Sequence, residues 1–233
     1  MATPLAAVGH QIWAGALLLA DYILSNPDAF SSGPVLELGA GMGLVSLVLA
    51  HVGSPAVFAT DVDGEAGVLA GLQRNVAANE VVRVLACDLS EADAAPLHDT
   101  APPAADPPSP FAWAASDHTL FTTSCTTLVA SDIIYSDRLT FAFATHLPRY
   151  LRPTESGAPR QLYLALEPRV VFTVDQCAAR APARDFLFDT LEAVNADRAG
   201  WEPAAPPTGP FGPWARGFLS SVENLKREGY GRR

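Results

Sequence analysis

The sequence is short of cysteine, of basic residues and of long apolar runs. Cys87, Cys125 and Cys177 are three in number and far apart. That argues against a disulfide framework or a cysteine-rich zinc site and fits a reducing intracellular compartment. Asp21 and Glu37 interrupt the two longest apolar stretches, so no segment reaches the roughly 18 uninterrupted apolar residues of a membrane span. No basic stretch precedes an apolar one as in a secretory signal. Lys and Arg number 15 against 25 Asp and Glu, a formal charge of −10. This argues against backbone-driven binding of nucleic acid, and neither a nucleic acid nor a membrane is expected as a partner. The acidity chiefly serves solubility and could help recruit a basic protein. His10, His51, His98, His118 and His146 are scattered without metal-ligand spacing, so no metal site is expected. Neither a G-x-S-x-G nucleophile elbow nor a Walker A sequence occurs.

What is present is an alternation of strand-like and helix-like segments, with 49% hydrophobic residues in a chain of 233, enough for one domain with a substantial core. Residues Gln11 to Leu24 place Ile12, Ala16, Leu19 and Ile23 at helical spacing. Strands are expected at 34–38, 56–60, 83–87, 126–134 and 161–166. The intervening helices are expected at 44–51, 65–79 and 138–151, with a further one within 171–194. Residues 90–109, rich in Ala, Pro and Asp, read as an inserted flexible surface loop. Residues 1–200 form the expected domain, and 201–233 a Pro/Gly-rich, then polar, tail with a short helix around 218–227. Such alternation predicts an α/β fold with a mostly parallel sheet covered by helices on both faces. Right-handed crossovers gather the strand C-terminal ends on one edge, where an open sheet binds its ligand.

The segment Val35-Leu36-Glu37-Leu38-Gly39-Ala40-Gly41-Met42-Gly43 closes the first strand. Its alternating glycines permit positive φ and close approach of a ligand to backbone. The spacing differs from the dinucleotide pattern G-x-G-x-x-G, because the third glycine comes one residue early. Glu37 would repel a pyrophosphate and would suit the cationic methionine portion of S-adenosylmethionine. A plain glycine turn is the competing reading. Asp61, closing the second strand, can accept both ribose hydroxyls of a nucleoside, or else cap the next helix. Asp88 and Leu89 close the third strand, placed for an adenine amine and ring face, or as a loop and cap. After the fourth strand, Ser131 would turn its backbone to the cleft. Asp132 could hold a substrate ammonium with Tyr135 as a wall beside it; the alternative has Asp132 capping the next helix and Tyr135 packing.

These residues resemble a known family, the seven-strand S-adenosylmethionine-dependent protein methyltransferases of family 16, which usually act on lysine. The resemblance is carried by Met1 to Leu5, Val8-Gly9, Ile12 to Leu24, Leu36 to Leu44, Gln73-Arg74-Asn75, Pro110 to Trp113, Asp132 to Tyr135, and Glu167 with Arg169. It covers most of residues 1–190. It implies a Rossmann-like fold and cofactor contacts at Trp13, Gly39, Ala40, Gly41, Asp61, Leu89 and Ser131, joined by Glu37, Gly43 and Asp88 from the pattern above. It also implies that Asp132 and Tyr135 form an acidic-x-x-aromatic substrate motif. Trp13 is expected on the first helix. Members often carry tryptophan where Leu89 stands, which weakens adenine stacking here. The family fold closes with an antiparallel hairpin, strands six and seven; after Val194 the sequence offers no strand pair.

The expected activity is transfer of a methyl group from S-adenosylmethionine to a lysine of a protein substrate, by a monomer in the nucleus or cytoplasm. The rival expectation is an inactive scaffold of the same fold. A small-molecule or nucleic-acid methyltransferase is a third reading. The N-P-P-[YFW]-type sequence of base amino methylation is absent after the fourth strand.

Overall fold

A computed structural model describes residues 5–64, 67–90, 109–173 and 178–196. Nearly all of the expected inserted loop, Cys177 and the expected tail lie outside them. A 3₁₀ helix, Leu5–His10, leads into α1 (Ala14–Ser25) and a single-turn α2 (Asp28–Ser31). The chain continues through β1 (Val35–Leu38), α3 (Leu44–His51), β2 (Val57–Asp61), α4 (Val68–Val76) and β3 (Val82–Ala86). Then follow α5 (Ala115–Ser124), β4 (Thr127–Ser131), α6 (Asp137–Tyr150), β5 (Gln161–Ala165), β6 (Val171–Thr173), β7 (Ala178–Arg180) and α7 (Pro182–Ala196).

Five strands form a parallel sheet in the order β3-β2-β1-β4-β5, while β6 and β7 make a separate antiparallel pair. The α/β fold with a parallel sheet is therefore present, and the described residues show five strands in that sheet. The order reverses direction between β1 and β4, where open α/β sheets leave a crevice. Successive side chains of a strand point to opposite faces, and the core divides accordingly. Val35, Val57 and Val129 pack with Leu19, Ile23, Leu49, Leu69 and Leu72 on one face. Leu36, Leu38, Phe58 and Leu128 pack with Phe121, Phe143, Leu147 and Leu187 on the other. Burying one such leucine is worth about 1.5–3 kcal/mol, so both helical layers are held by the strands' alternation. Among the described residues, no helix is long and apolar enough to cross a membrane.

Several expected boundaries change, and one helix is new. Helix α1 starts at Ala14, and Trp13 takes extended backbone as its N-cap (φ −98°, ψ 160°) instead of lying within the helix. Strand β4 ends at Ser131, three residues early, because Asp132 turns to φ +50°. The segment 171–194 does contain the expected helix, but β6 and β7 come first, and α7 begins on Pro182, whose fixed φ suits a first helical position. Helix α5 was not expected. Its sequence is mostly polar, but Asp117 accepts the Ala114 N–H (3.1 Å) and pairs with Arg83, while Phe121 enters the core.

Candidate cofactor and active site

The turn after β1 is built on positive-φ glycines, with Gly39 at +70° and Gly41 at +52°. The Ala40 N–H donates to the Thr60 carbonyl (2.9 Å), tying the turn to the end of β2. The Gly41 N–H donates to Asp61 Oδ2 (2.8 Å), and the Val62 N–H to Asp61 Oδ1 (2.8 Å). A Cβ on Gly39 would lie 2.6 Å from Ile133 Cγ2, so a side chain there would force β1 and the β4 exit apart. Asp61 caps no helix, since the N-cap of α4 is Gly67.

A cleft of about 420 Å³ opens at this edge of the sheet, within the range of small-molecule and cofactor sites. Of the expected residues, Trp13, Gly39, Ala40, Gly41, Asp61, Asp88, Leu89, Ser131, Asp132 and Tyr135 all line it. Sequence reasoning passed over Val8, Gly9 and Gln11, which form a further wall, and Cys87 beside Asp88. Val8-Gly9 was visible only as part of the family likeness. Its placement depends on Trp13, whose Nε1–H donates to the Val8 carbonyl (3.0 Å).

Glu37 and Gly43 are not among the residues lining the cleft. Glu37 shares a strand face with Val35, so its carboxylate turns toward α3 and accepts the Ser46 hydroxyl, buried one layer behind the turn. Gly43 (φ +88°) precedes α3, and a Cβ there would run into Leu72 of α4. Its role is packing.

Burial sets the ionisation of the site. It pushes the Asp61 carboxyl above its ordinary range, opposed by the Gly41 and Val62 N–H groups. Burial also raises Glu37 to about 8 and the Cys87 thiol to about 12, leaving the latter unreactive at neutral pH. Tyr135 is raised first by burial and then by the charges of Asp61 and Asp88. Those two carboxylates therefore project a negative field across the cleft to Tyr135. Asp88 is steadied by the Ser90 N–H (2.8 Å) and hydroxyl (2.7 Å), both on Oδ1.

Asp132 does not cap the following helix; Ser136 does, accepting the Leu139 N–H (3.3 Å). The buried Asp132 carboxylate instead receives the Gly15 N–H on Oδ2 (2.6 Å) and the Glu167 N–H on Oδ1 (2.7 Å). It ties the first turn of α1 to the exit of β5 while lining the cleft. Gly15 lies in the positive end of the helix dipole, which favours a carboxylate.

Together the doubly wound sheet, the glycine turn at its switch point and the acidic strand ends define a Rossmann-like α/β protein with an acidic cleft at that edge. Sequence comparison adds what the chain is similar to. Residues 3–92 match the model of a lysine methyltransferase family, and the chain is similar over a longer stretch to named methyltransferases. It is 36% identical over 203 residues to methyltransferase-like protein 22 of Mus musculus, covering 84% of this chain and 48% of that protein. The Homo sapiens protein of that name is 35% identical, with 84% and 47% covered. A protein N-terminal and lysine N-methyltransferase, EFM7 of Cryptococcus neoformans, is 45% identical over 71 residues, 30% of this chain and 23% of that one. The chain spans about half the length of the first two relatives.

Proposed function

We propose that this chain transfers a methyl group from S-adenosylmethionine to a lysine side chain of a protein substrate. The observation that carries the reading is the Gly39–Ala40–Gly41 turn hydrogen-bonded to Asp61 in an acidic cleft at the sheet's switch point. The residues fit the cofactor. Asp61 and Asp88 are acceptors suited to ribose hydroxyls and an adenine amine, and Leu89 offers an apolar face. The negative field felt at Tyr135 suits a cation. Gly39 and Gly41 let the turn pack close to Ile133 and the Gly9 carbonyl, which also line the cleft. When bound, S-adenosylmethionine would supply a methyl group already activated on a sulfonium.

The protein's share of the work is alignment. Trp13, Ser131 and the glycine turn hold the donor end, with Asp132 and Tyr135 at the acceptor end. A carboxylate favours the charged form of a nearby lysine, so Asp132 orients the ammonium and does not create the nucleophile. The lysine proton passes to water before attack. Calorimetry followed by labelled-methyl transfer into a cell lysate tests this. Binding of S-adenosylmethionine and S-adenosylhomocysteine but not NAD is expected, with label entering lysine; no binding overturns the reading. A scaffold that binds without turnover is favoured by one observation, the two backbone N–H groups already held by Asp132. Binding without any transfer would select it.

A further inference from the structure

Past β5 the chain climbs from the cleft wall onto an exposed apolar edge. The Glu167 N–H is fixed on Asp132. Two residues later Arg169 adopts φ +45° and lays its guanidinium over the Trp13 ring, 5.1 Å from the centroid. A non-glycine residue in that region is held there by its surroundings and often marks a functional segment. Here the stack on a cleft residue is one such restraint. Val170, Val171 and Phe172 follow, 61%, 48% and 67% exposed, and Ile12, beside Trp13, is 58% exposed. Consecutive strand residues point to opposite faces, so Val171 and Phe172 expose an apolar side chain on each face of β6. Strand β6 pairs with β7, and among the described residues its other edge pairs with no strand.

We propose that this rim, Ile12 with Val170, Val171 and Phe172, docks the segment of the protein substrate that carries the acceptor lysine. It selects segments with a bulky apolar residue beside that lysine. The inference rests on the lysine-methyltransferase reading above. Continuity with the cleft favours this occupant, because the rim is anchored to Asp132 and Trp13, both cleft-lining residues. Complementarity favours it too: the Asp61 and Asp88 field attracts the ammonium, while the apolar rim takes the residues around it. An open strand edge can also receive an extended peptide by main-chain hydrogen bonds.

The test uses the full chain, S-adenosylmethionine and two lysine-centred peptide pools. One pool carries Phe, Leu or Ile at the positions flanking the lysine, the other Ser or Gly. The apolar pool is expected to show a KM at least about tenfold lower, the scale of burying one apolar side chain. The double variant Val170→Ser/Phe172→Ser should erase that difference by raising KM, leaving kcat and cofactor affinity within about twofold. A merely structural role would move cofactor affinity and the melting temperature instead. With p-benzoylphenylalanine in place of Phe172, cross-linking to the apolar pool is expected. Equal KM values in the wild type, or a preference that survives in the double variant, overturn the rim. So does cross-linking to residues 197–233 of the same chain, or to a second copy, while peptide is present. A chain that methylates both pools equally loses the rim but keeps the proposed function. A chain that neither binds the cofactor nor methylates either pool loses both.

Discussion

Asp61 reaches the cleft already holding two backbone N–H groups, from Gly41 and Val62. Asp61→Ala removes the proposed acceptor for ribose and frees the glycine turn, so S-adenosylmethionine affinity should fall by about 1–3 kcal/mol. Calorimetry showing unchanged affinity would take Asp61 out of the site. Glu37 gives a pH prediction. Its folded value, about 8, lies above the ordinary 4.5 because burial disfavours the charge. The folded protein holds this proton more tightly than the unfolded chain does. The stabilisation is therefore complete below about pH 4.5 and is lost as pH rises through 8. Glu37→Gln stays neutral throughout, so urea unfolding without ligand should show the wild type losing on the order of 4 kcal/mol relative to the variant between pH 5 and 8.5. Parallel pH curves would mean that Glu37 is already ionised in the fold. Asp132→Asn leaves one acceptor for two N–H groups and sets an amide donor against the other. A stability loss of about 1–3 kcal/mol is expected together with slower transfer. At this scale the sequence disclosed the residues at strand ends, because a parallel sheet brings those ends to one edge. It did not disclose that Glu37 turns inward, which depends on strand parity and on Ser46 across from it.

Helix α1 depends on the absence of a single atom. A Cβ on Gly15 would stand 2.6 Å from Asp132 Oδ2 and 2.9 Å from the Ala165 carbonyl, both fixed in the sheet edge. Gly15→Ala should therefore destabilise by about 1–3 kcal/mol and loosen the Trp13 wall. At Gly64 a Cβ would meet nothing within 4 Å, so Gly64→Ala should leave the melting temperature nearly unchanged. Equal melting shifts for the two variants would show that α1 does not depend on close approach at Gly15. Strands β1 to β5 were legible as short apolar runs bounded by turn residues, and α3 from Leu44 to His51 was legible to the residue. Helix α5 was not, because Thr and Ser fill half of it and long-range contacts of Asp117 and Phe121 hold it. The hairpin β6–β7 merged with α7 in the pattern because Val170, Val171 and Phe172 form an apolar run that faces no core, and periodicity reports burial only where burial exists.

Across the whole molecule the parallel sheet and its shared ligand edge followed from alternation and crossover handedness, while the strand order and the reach of the cleft's field required coordinates. Asp61 and Asp88 both act on Tyr135 at the acceptor end, in a chain of net charge −10. S-adenosylmethionine carries a sulfonium charge that S-adenosylhomocysteine lacks, so the field should favour the donor over the product. Salt shortens the Debye length from about 10 Å at 0.1 M to about 3 Å at 1 M, and the cleft is open to solvent. The ratio of donor to product affinity should therefore fall as salt rises between roughly 0.05 and 0.5 M. Asp88→Asn should lower that ratio at low salt and flatten its salt dependence, while binding of the product changes less. Calorimetry with both ligands at each salt concentration measures this directly. Identical salt slopes for donor and product in the wild type would show that the field stops short of the methyl position. The preference for a cationic donor would then have to come from contacts local to the glycine turn.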